Sequence, residues 1–511
     1  CYEFGIGIVK DIKKSVYWYQ KATDNGNTTA NIYLADLMPF DLSTYYYKKD
    51  KGVRKNGKNT FKFHKLLAEQ GNIDAKFQLG YCYDEGIGID TNKVKAFELY
   101  KVAAEKGNNE AIYNLSFLYE LGEGVNKDEE KAFKLIKKLA EKGDSDAIYK
   151  LAYYCNKGIG TKANKSKAFE LYKVAAEKGN NDAQYNLGLL YQLGEGVDKN
   201  EKQAFEILKD LAEKKYMNAQ FQLGSFYLNG IGTEINKLKA FELYKVVAEK
   251  GNRNAQYILG LLYQLGEGVD KNEKKAFELI NDLAEKNDKN DVNAQFQLGY
   301  YYDEGIGAEI NKSKAFELYQ IAAENGSNEA QFNLSLLYEL GEGVEKNEEK
   351  AFKLINCLAG KDDVNAQLRL GDYYNEGIGT EVNKSKAFEL YKIVAEKGNH
   401  NAKYNLSLLY RLGEGVNKDE KKAFELINDL AEKNDVNAQF QLGYYYDEGI
   451  GTEVDKSKAF ELYKIAAEKG NNDARYNLGL LYLSGEGVDK DEKKAYELIN
   501  GLAEKEQSDT R

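Results

Sequence analysis

The stretch Ala183-Gln-Tyr-Asn-Leu-Gly-Leu-Leu-Tyr-Gln-Leu-Gly-Glu-Gly-Val197 returns as Ala402-Lys-Tyr-Asn-Leu-Ser-Leu-Leu-Tyr-Arg-Leu-Gly-Glu-Gly-Val416. Related copies begin at Ala75, Ala111, Ala147, Ala219, Ala255, Ala294, Ala330, Ala366, Ala438 and Ala474. The spacing is 36 residues throughout, except for 39 between Ala255 and Ala294. A fixed period of this size marks a stacked repeat protein, in which each unit buries its apolar face against its neighbours.

Within the unit at Ala183, Ala183, Leu187 and Tyr191 lie four residues apart on one helical stripe. Tyr185 and Leu189 form a second stripe beside it. A helix apolar on two sides must be sandwiched between others. Gly188 inside this helix costs about 1 kcal/mol relative to alanine, which close approach of a neighbouring helix would offset. Gly194 suits a left-handed C-terminal cap and Gly196 a tight return. Asn200 fits the N-cap of a second helix, with Glu201 in its first turn and Ala204, Phe205, Leu208, Leu211 and Ala212 as its buried stripe. In about half of the copies a Gly-Asn pair such as Gly179-Asn180 closes the second helix and caps the next unit.

The predicted fold is therefore all-α: a right-handed superhelical α/α solenoid of stacked helix hairpins with 36-residue repeats. Residues 75–511 hold twelve units in one array, and residues 1–74 hold two divergent ones. The second divergent unit carries a basic insertion, Tyr45-Tyr-Tyr-Lys-Lys-Asp-Lys-Gly-Val-Arg-Lys-Asn-Gly-Lys58, read as a solvated loop. The three extra residues around Asp288–Asp291 read as a surface loop. Units alternate between a Gly-Ile-Gly form (Gly377-Ile378-Gly379) and a Gly-Glu-Gly form (Gly413-Glu414-Gly415), so the copied unit is 72 residues long.

The net charge of −10 argues against a nucleic-acid coat. No stretch is apolar enough to span a membrane. Four cysteines are too few for a disulfide framework. Cys82, Cys155 and Cys357 are read as reduced replacements of core residues, which favours a cytoplasmic location. The chain begins at Cys1 inside a repeat, without a methionine, which points to residues upstream.

These motifs resemble the Sel-one-like repeat family, a branch of the tetratricopeptide-type solenoids. Ala183–Gly188, Tyr191, Gly194, Gly196, Val197 and Ala204 match its pattern position by position, as do Leu370-Gly371, Tyr374, Gly377, Gly379, Lys386-Ala387 and Gly398. Ser116, Ala152, Ser335 and Ser407 replace the helix glycine, which suggests slightly wider local packing. The resemblance implies scaffold or adaptor work, as in signalling. Related arrays joined to kinase-like domains supply an alternative, that of a regulatory or docking region of a larger enzyme.

Candidate binding residues precede the Leu-Gly pair: Gln78, Asn114, Asn186, Gln222, Gln297, Asn333, Asn405, Gln441 and Asn477, with Lys150, Ile258 and Arg369 at the equivalent sites. Each amide both donates and accepts, so a ladder of them could hold an extended peptide on a concave face. The competing role is bonding to the adjacent repeat. Three residues further on, Tyr81, Tyr153, Tyr300 and Tyr444 could anchor a partner or pack between repeats, and Asp372 breaks that series beside Arg369. Lysines opening second helices, as in Asn383-Lys384-Ser385-Lys386, are expected to pair with acids such as Glu420 on adjacent units.

No catalytic, cofactor or metal constellation is present. The repeated Gly-x-Gly follows a helix rather than a strand, Asp198–Lys202 lacks the ligands of a calcium loop, and His64 and His400 lie in distant units. The expected function is a noncatalytic scaffold that binds proteins or peptides, with self-association through the terminal repeat at Ala495–Lys505.

Overall fold

The computed structural model describes residues 21, 57–286 and 291–509. Most of the divergent segment 1–74, including nearly all of the basic stretch 45–58, lies outside the described residues, as does most of the insertion before Asp291. From Gly57 onward the described residues form 25 α-helices and no strand. The chain divides into two compact units, residues 1–247 and 248–511. Within each, a helix packs chiefly against the helix before it and the helix after it. Hairpins such as Asn181–Leu193 with Glu201–Glu213, and His400–Leu412 with Glu420–Glu432, therefore stack in sequence order. The structure is an all-α helical solenoid.

Local sequence explains the boundaries of the hairpin at Ala183. Asn180 Oδ1 accepts from the Ala183 N–H at 2.7 Å, and Asn200 Oδ1 from the Gln203 N–H at 3.0 Å. Each cap satisfies a backbone donor that the helix leaves open. Gly194 ends the first helix at φ 72°, its N–H donating to the Leu190 carbonyl at 2.9 Å.

Ala183, Ala204, Leu208 and Leu211 are fully enclosed. Leu187 and Tyr191 are only partly buried, and the residues buried with Ala183 are Gly188 and Leu190, neither of which belongs to the two expected stripes. A sandwiched helix buries more than one stripe, so sequence spacing alone did not single out its centre. Cys82 and Cys155 are buried, whereas Cys357 is exposed. Cys357 therefore takes a surface position and not the core position expected of it; Lys138 and Asp429 stand at the same place in sister units.

The glycine of the Leu-Gly pair admits the other helix of its own hairpin. A Cβ at Gly371 would lie 2.6 Å from the Tyr391 ring, and one at Gly188 would lie 3.3 Å from Leu208. Of the four replacing residues, Ser116, Ser335 and Ser407 occur in hairpins whose second helix carries Ile136, Ile355 or Ile427, whereas the hairpin of Ala152 carries Tyr172. Each of these serines is fully buried and returns its hydroxyl proton to a backbone carbonyl three residues earlier.

The second glycine of each Gly-x-Gly turn does more than return the chain. A Cβ at Gly415 would fall 2.2 Å from the Lys384 carbonyl group, and one at Gly343 would meet Lys312 in the same way. Within each compact unit such a turn thus rests on the start of the preceding hairpin's second helix, backbone on backbone. The glycines between hairpins are different. Gly398 also has positive φ, but nothing lies within 4 Å of its added Cβ, and Lys215, Asp362 and Asn434 take the equivalent place at φ 62–64°.

Gly415→Ala should therefore cost at least about 2 kcal/mol, combining left-handed strain with a clash against backbone. Gly398→Ala should cost about 1 kcal/mol, from the strain alone. Urea denaturation of the two variants checks the difference.

Candidate functional site

The two repeat forms create two alternating polar seams along the faces where hairpins meet. One is centred on a tyrosine in the second helix of four Gly-Ile-Gly hairpins, those of Tyr100, Tyr319, Tyr391 and Tyr463. Tyr100, Tyr319, Tyr391 and Tyr463 have at most 1% of their surface exposed. A phenol so enclosed needs a partner for its hydroxyl. Tyr100 donates to Asp84 at 3.1 Å and Tyr319 to Asp303 at 3.1 Å. The amide of the following hairpin closes the contact: Asn114 donates to the Tyr100 hydroxyl at 3.3 Å and Asn333 to that of Tyr319 at 3.0 Å. Burial first, and the adjacent carboxylate second, hold these phenols far above the ordinary tyrosine range.

The carboxylates are shared with the lysines that open the second helices. Lys312 reaches Asp303 at 2.7 Å and Glu342 of the next Gly-Glu-Gly turn at 2.9 Å. Lys384 likewise reaches Glu414 at 2.9 Å, so its partner on the adjacent unit is Glu414, while Glu420 pairs with Lys418.

Asp372 is a displaced member of this seam. Its hairpin carries Asn375 where others carry the acid, and Tyr391 donates to Asp372 instead, at 2.7 Å. Asn405 then donates to Asp372 at 3.2 Å. Burial raises the Asp372 pKa above the usual carboxylate range.

The second seam joins each Gly-Glu-Gly hairpin to the next Gly-Ile-Gly hairpin. It pairs a residue late in one first helix with the candidate position of the following one. Glu120 meets Lys150 at 2.9 Å, and the buried Tyr154 donates to Glu120 at 2.7 Å. Gln222 donates to Gln192 at 3.3 Å, and here the tyrosine is replaced by Phe226, which asks for no acceptor. Gln297 and Tyr301 both donate to Gln264, at 3.3 and 3.0 Å. Arg369 donates to both carboxylate oxygens of Glu339 at 2.7 Å, and Tyr373 donates to Glu339 at 2.6 Å. At these four junctions the partners change together, so that donors meet acceptors.

The candidate amides are thus placed at the contacts between hairpins, buried or half-buried. Asn186 turns back to the Asp182 carbonyl at 2.8 Å, and Asn477 bonds toward Tyr463. Gln78 is half-buried. Tyr300 and Tyr444 are half-buried and each packs on the apolar clusters of two successive hairpins, as inter-repeat packing requires. Sequence reasoning did not pick out Tyr100, Tyr319 and Tyr391, or Glu120, Gln264 and Glu339. The signal was present: tyrosine alternates with isoleucine or leucine in the second helix with the 72-residue period.

An exposed row lies elsewhere. Leu193, Leu265 and Leu340 stand just before the capping glycine and are 61–63% exposed. Ile235, Ile310, Val382 and Val454 occupy the turns of Gly-Ile-Gly hairpins and are 57–64% exposed. From Leu265 to Val454 every hairpin turn offers one such side chain. Among the described residues no group of three or more His, Cys, Asp or Glu could hold a metal ion. No described helix is long and apolar enough to cross a membrane.

The family model described as Sel1 repeat matches fourteen segments, from residues 1–27 and 40–72 through to 472–500. The chain belongs to the Sel1 repeat family. It is similar to a protective antigen of uropathogenic Escherichia coli strains that displays an SLR fold. The identity is 31% and the TM-score 0.68, over 87% of this chain and 94% of that one. It is also similar to a Sel1 repeat protein from Oxalobacter formigenes, with 27% identity and TM-score 0.47, over 61% of this chain and 89% of that one. No curated protein matches the chain. In Sel1 terms, the helix glycine and the second turn glycine are the positions at which this chain brings helices or backbones together, and the first turn glycine is the left-handed cap of its own helix.

The paired seam should be visible in stability. Glu339→Ala leaves Arg369 and Tyr373 without their acceptor and should cost about 1–3 kcal/mol. Gln192→Ala, opposite Gln222 and Phe226, should cost only about 0.5–1.5 kcal/mol. Urea midpoints of the two variants check the order.

Proposed function

We propose that this Sel1 repeat chain is a noncatalytic scaffold that binds proteins or peptides along its repeated surface. The observation that carries this reading is the row of exposed Leu, Ile and Val side chains, one per hairpin turn from Leu265 to Val454. Apolar groups repeated at a fixed interval favour a partner that is itself extended or multivalent, since each added contact is intramolecular once the first has formed. The amides Asn333, Asn405 and Gln441 hold hairpins together first, and contribute to a partner site through the half-buried edge of the seam. The buried thiols of Cys82 and Cys155 fit a reducing, cytoplasmic setting. The last hairpin exposes Tyr476, Leu480, Leu483 and Tyr496, which supports self-association through the terminal repeat.

Replacing Ile310, Leu340, Val382 and Leu412 together by glutamate should lower recovery of crosslinked partners at least tenfold, with helical content and melting temperature unchanged. Asn333→Ala with Asn405→Ala should lower the melting temperature more than it lowers recovery. Full recovery by a folded glutamate variant would remove the turn row as the binding surface. Light scattering that shows monomers at high concentration would remove self-association.

A further inference from the structure

One junction of the second seam lacks the group that the others contain. Glu120, Gln192, Gln264 and Glu339 supply an acceptor oxygen at four junctions. At the fifth, the same position is Arg411, which acts electrostatically on Tyr445 of the next hairpin, and Gln441 stands at the place of Lys150 and Arg369. Tyr445 is fully enclosed and Gln441 is 7% exposed. Gln441 Oε1 is taken by the Tyr404 hydroxyl at 3.5 Å, which leaves the Nε2 donor. Arg411 Nε, Gln441 Nε2 and Tyr445 Oη are all shielded from solvent and make no hydrogen bond. Ser407 Oγ lies beside Tyr445 but gives its own proton to the Tyr404 carbonyl at 2.6 Å. Among the described residues Arg411 makes no ion pair, and Asp435, the acid beside Tyr404, is engaged in capping the Ala438 N–H at 2.8 Å.

The chain itself shows what completes such a set. A cation and a tyrosine hydroxyl converge on a carboxylate at Glu120, with Lys150 and Tyr154, and again at Glu339, with Arg369 and Tyr373. We propose that the Arg411–Gln441–Tyr445 junction is a binding site for a carboxylate from outside the chain. The arginine and the phenol take the roles they have at the sister junctions, and the amide N–H supplies a third donor. Such charge-assisted bonds are the strong ones, and unpaired buried donors are costly enough to make their completion favourable. Arg411 is partly exposed, and its flexible side chain gives access. The inference does not depend on the turn row, since the two surfaces use different residues. The carboxylate has two possible sources, a small organic acid or the acidic side chain of a bound peptide.

The test is thermal melting of the full chain in sodium acetate against sodium chloride at equal ionic strength. It is followed by calorimetric titration with a blocked pentapeptide carrying a central glutamate, and with its glutamine counterpart. The wild type should melt higher in acetate, and Arg411→Gln and Gln441→Leu should lose that increment. Arg411→Glu should restore the acceptor found at Glu120 and Glu339, raising the melting temperature in chloride and removing the acetate response. A glutamate peptide that binds at least tenfold more tightly than acetate assigns the site to a partner side chain, and comparable binding assigns it to small carboxylates. The proposal is overturned if chloride, acetate and both peptides are indistinguishable. It is also overturned if folded Arg411→Gln, or Arg411→Glu, keeps the acetate response.

Discussion

The contact on which the rest depends is backbone on backbone. Within each compact unit, the second glycine of a Gly-x-Gly turn such as Gly196 or Gly415 sits on the first residues of the preceding hairpin's second helix, where a Cβ would fall about 2 Å from a carbonyl group. Side chains can be exchanged for others of similar volume, but this approach admits one residue type only. It fixes the spacing between hairpins, and the fixed spacing lets a lysine at a helix start reach the glutamate of the next turn. The same spacing brings an amide to a phenol in the hairpin before it. Polar seams of this kind need positions held to within a few tenths of an ångström, because hydrogen bonds lose most of their value once bent or stretched.

Within each hairpin a second constraint acts. Alternate hairpins carry a tyrosine or an aliphatic residue under the helix glycine, and this choice decides which seam forms. A tyrosine brings a hydroxyl into the core, which Asp84 and Asp303 accept from Tyr100 and Tyr319, while the equally enclosed Tyr172 hydroxyl, beside Asn156, makes no hydrogen bond. An isoleucine such as Ile355 brings none, and its hairpin can carry serine in place of glycine. The 72-residue period is thus a packing alternation as well as a trace of duplication.

Much of the fold was legible in the sequence because caps and glycines act locally. Asn180, Asn200, Gly194 and Gly196 each mark a boundary by chemistry within a few residues of themselves. The partners of the candidate residues were less legible. Arg369 and Glu339 are 30 residues apart, and only the stacked structure shows that one hairpin repeat minus a turn and a half of helix brings them together. Cys357 was misplaced for the converse reason: a cysteine reads as a core residue by type, while its helical phase puts it beside lysine and aspartate at equivalent places. The exposed turn row escaped notice because each member is a single apolar residue in a polar loop, unremarkable until it recurs.

Near-identical repeats carry a hazard that the second seam addresses. Hairpins of nearly the same sequence could stack out of order, since their apolar surfaces are almost interchangeable. The junction pairs are not all interchangeable. Glu120 with Lys150 and Glu339 with Arg369 are carboxylate–cation pairs, whereas Gln192 with Gln222 beside Phe226 is a neutral one. Placing the hairpin of Lys150 against that of Arg411 would set two cations together in a partly buried contact, and placing Phe226 against Glu339 would strip a carboxylate of a donor. Mismatches of this kind cost more than correct pairs contribute, because a buried charge without a partner loses its hydration and regains nothing. The polar residues between hairpins therefore act mainly through what they forbid. Most of the stabilisation comes from the enclosed alanines, leucines and tyrosines, and the order of the stack comes from a handful of side chains that differ from one junction to the next.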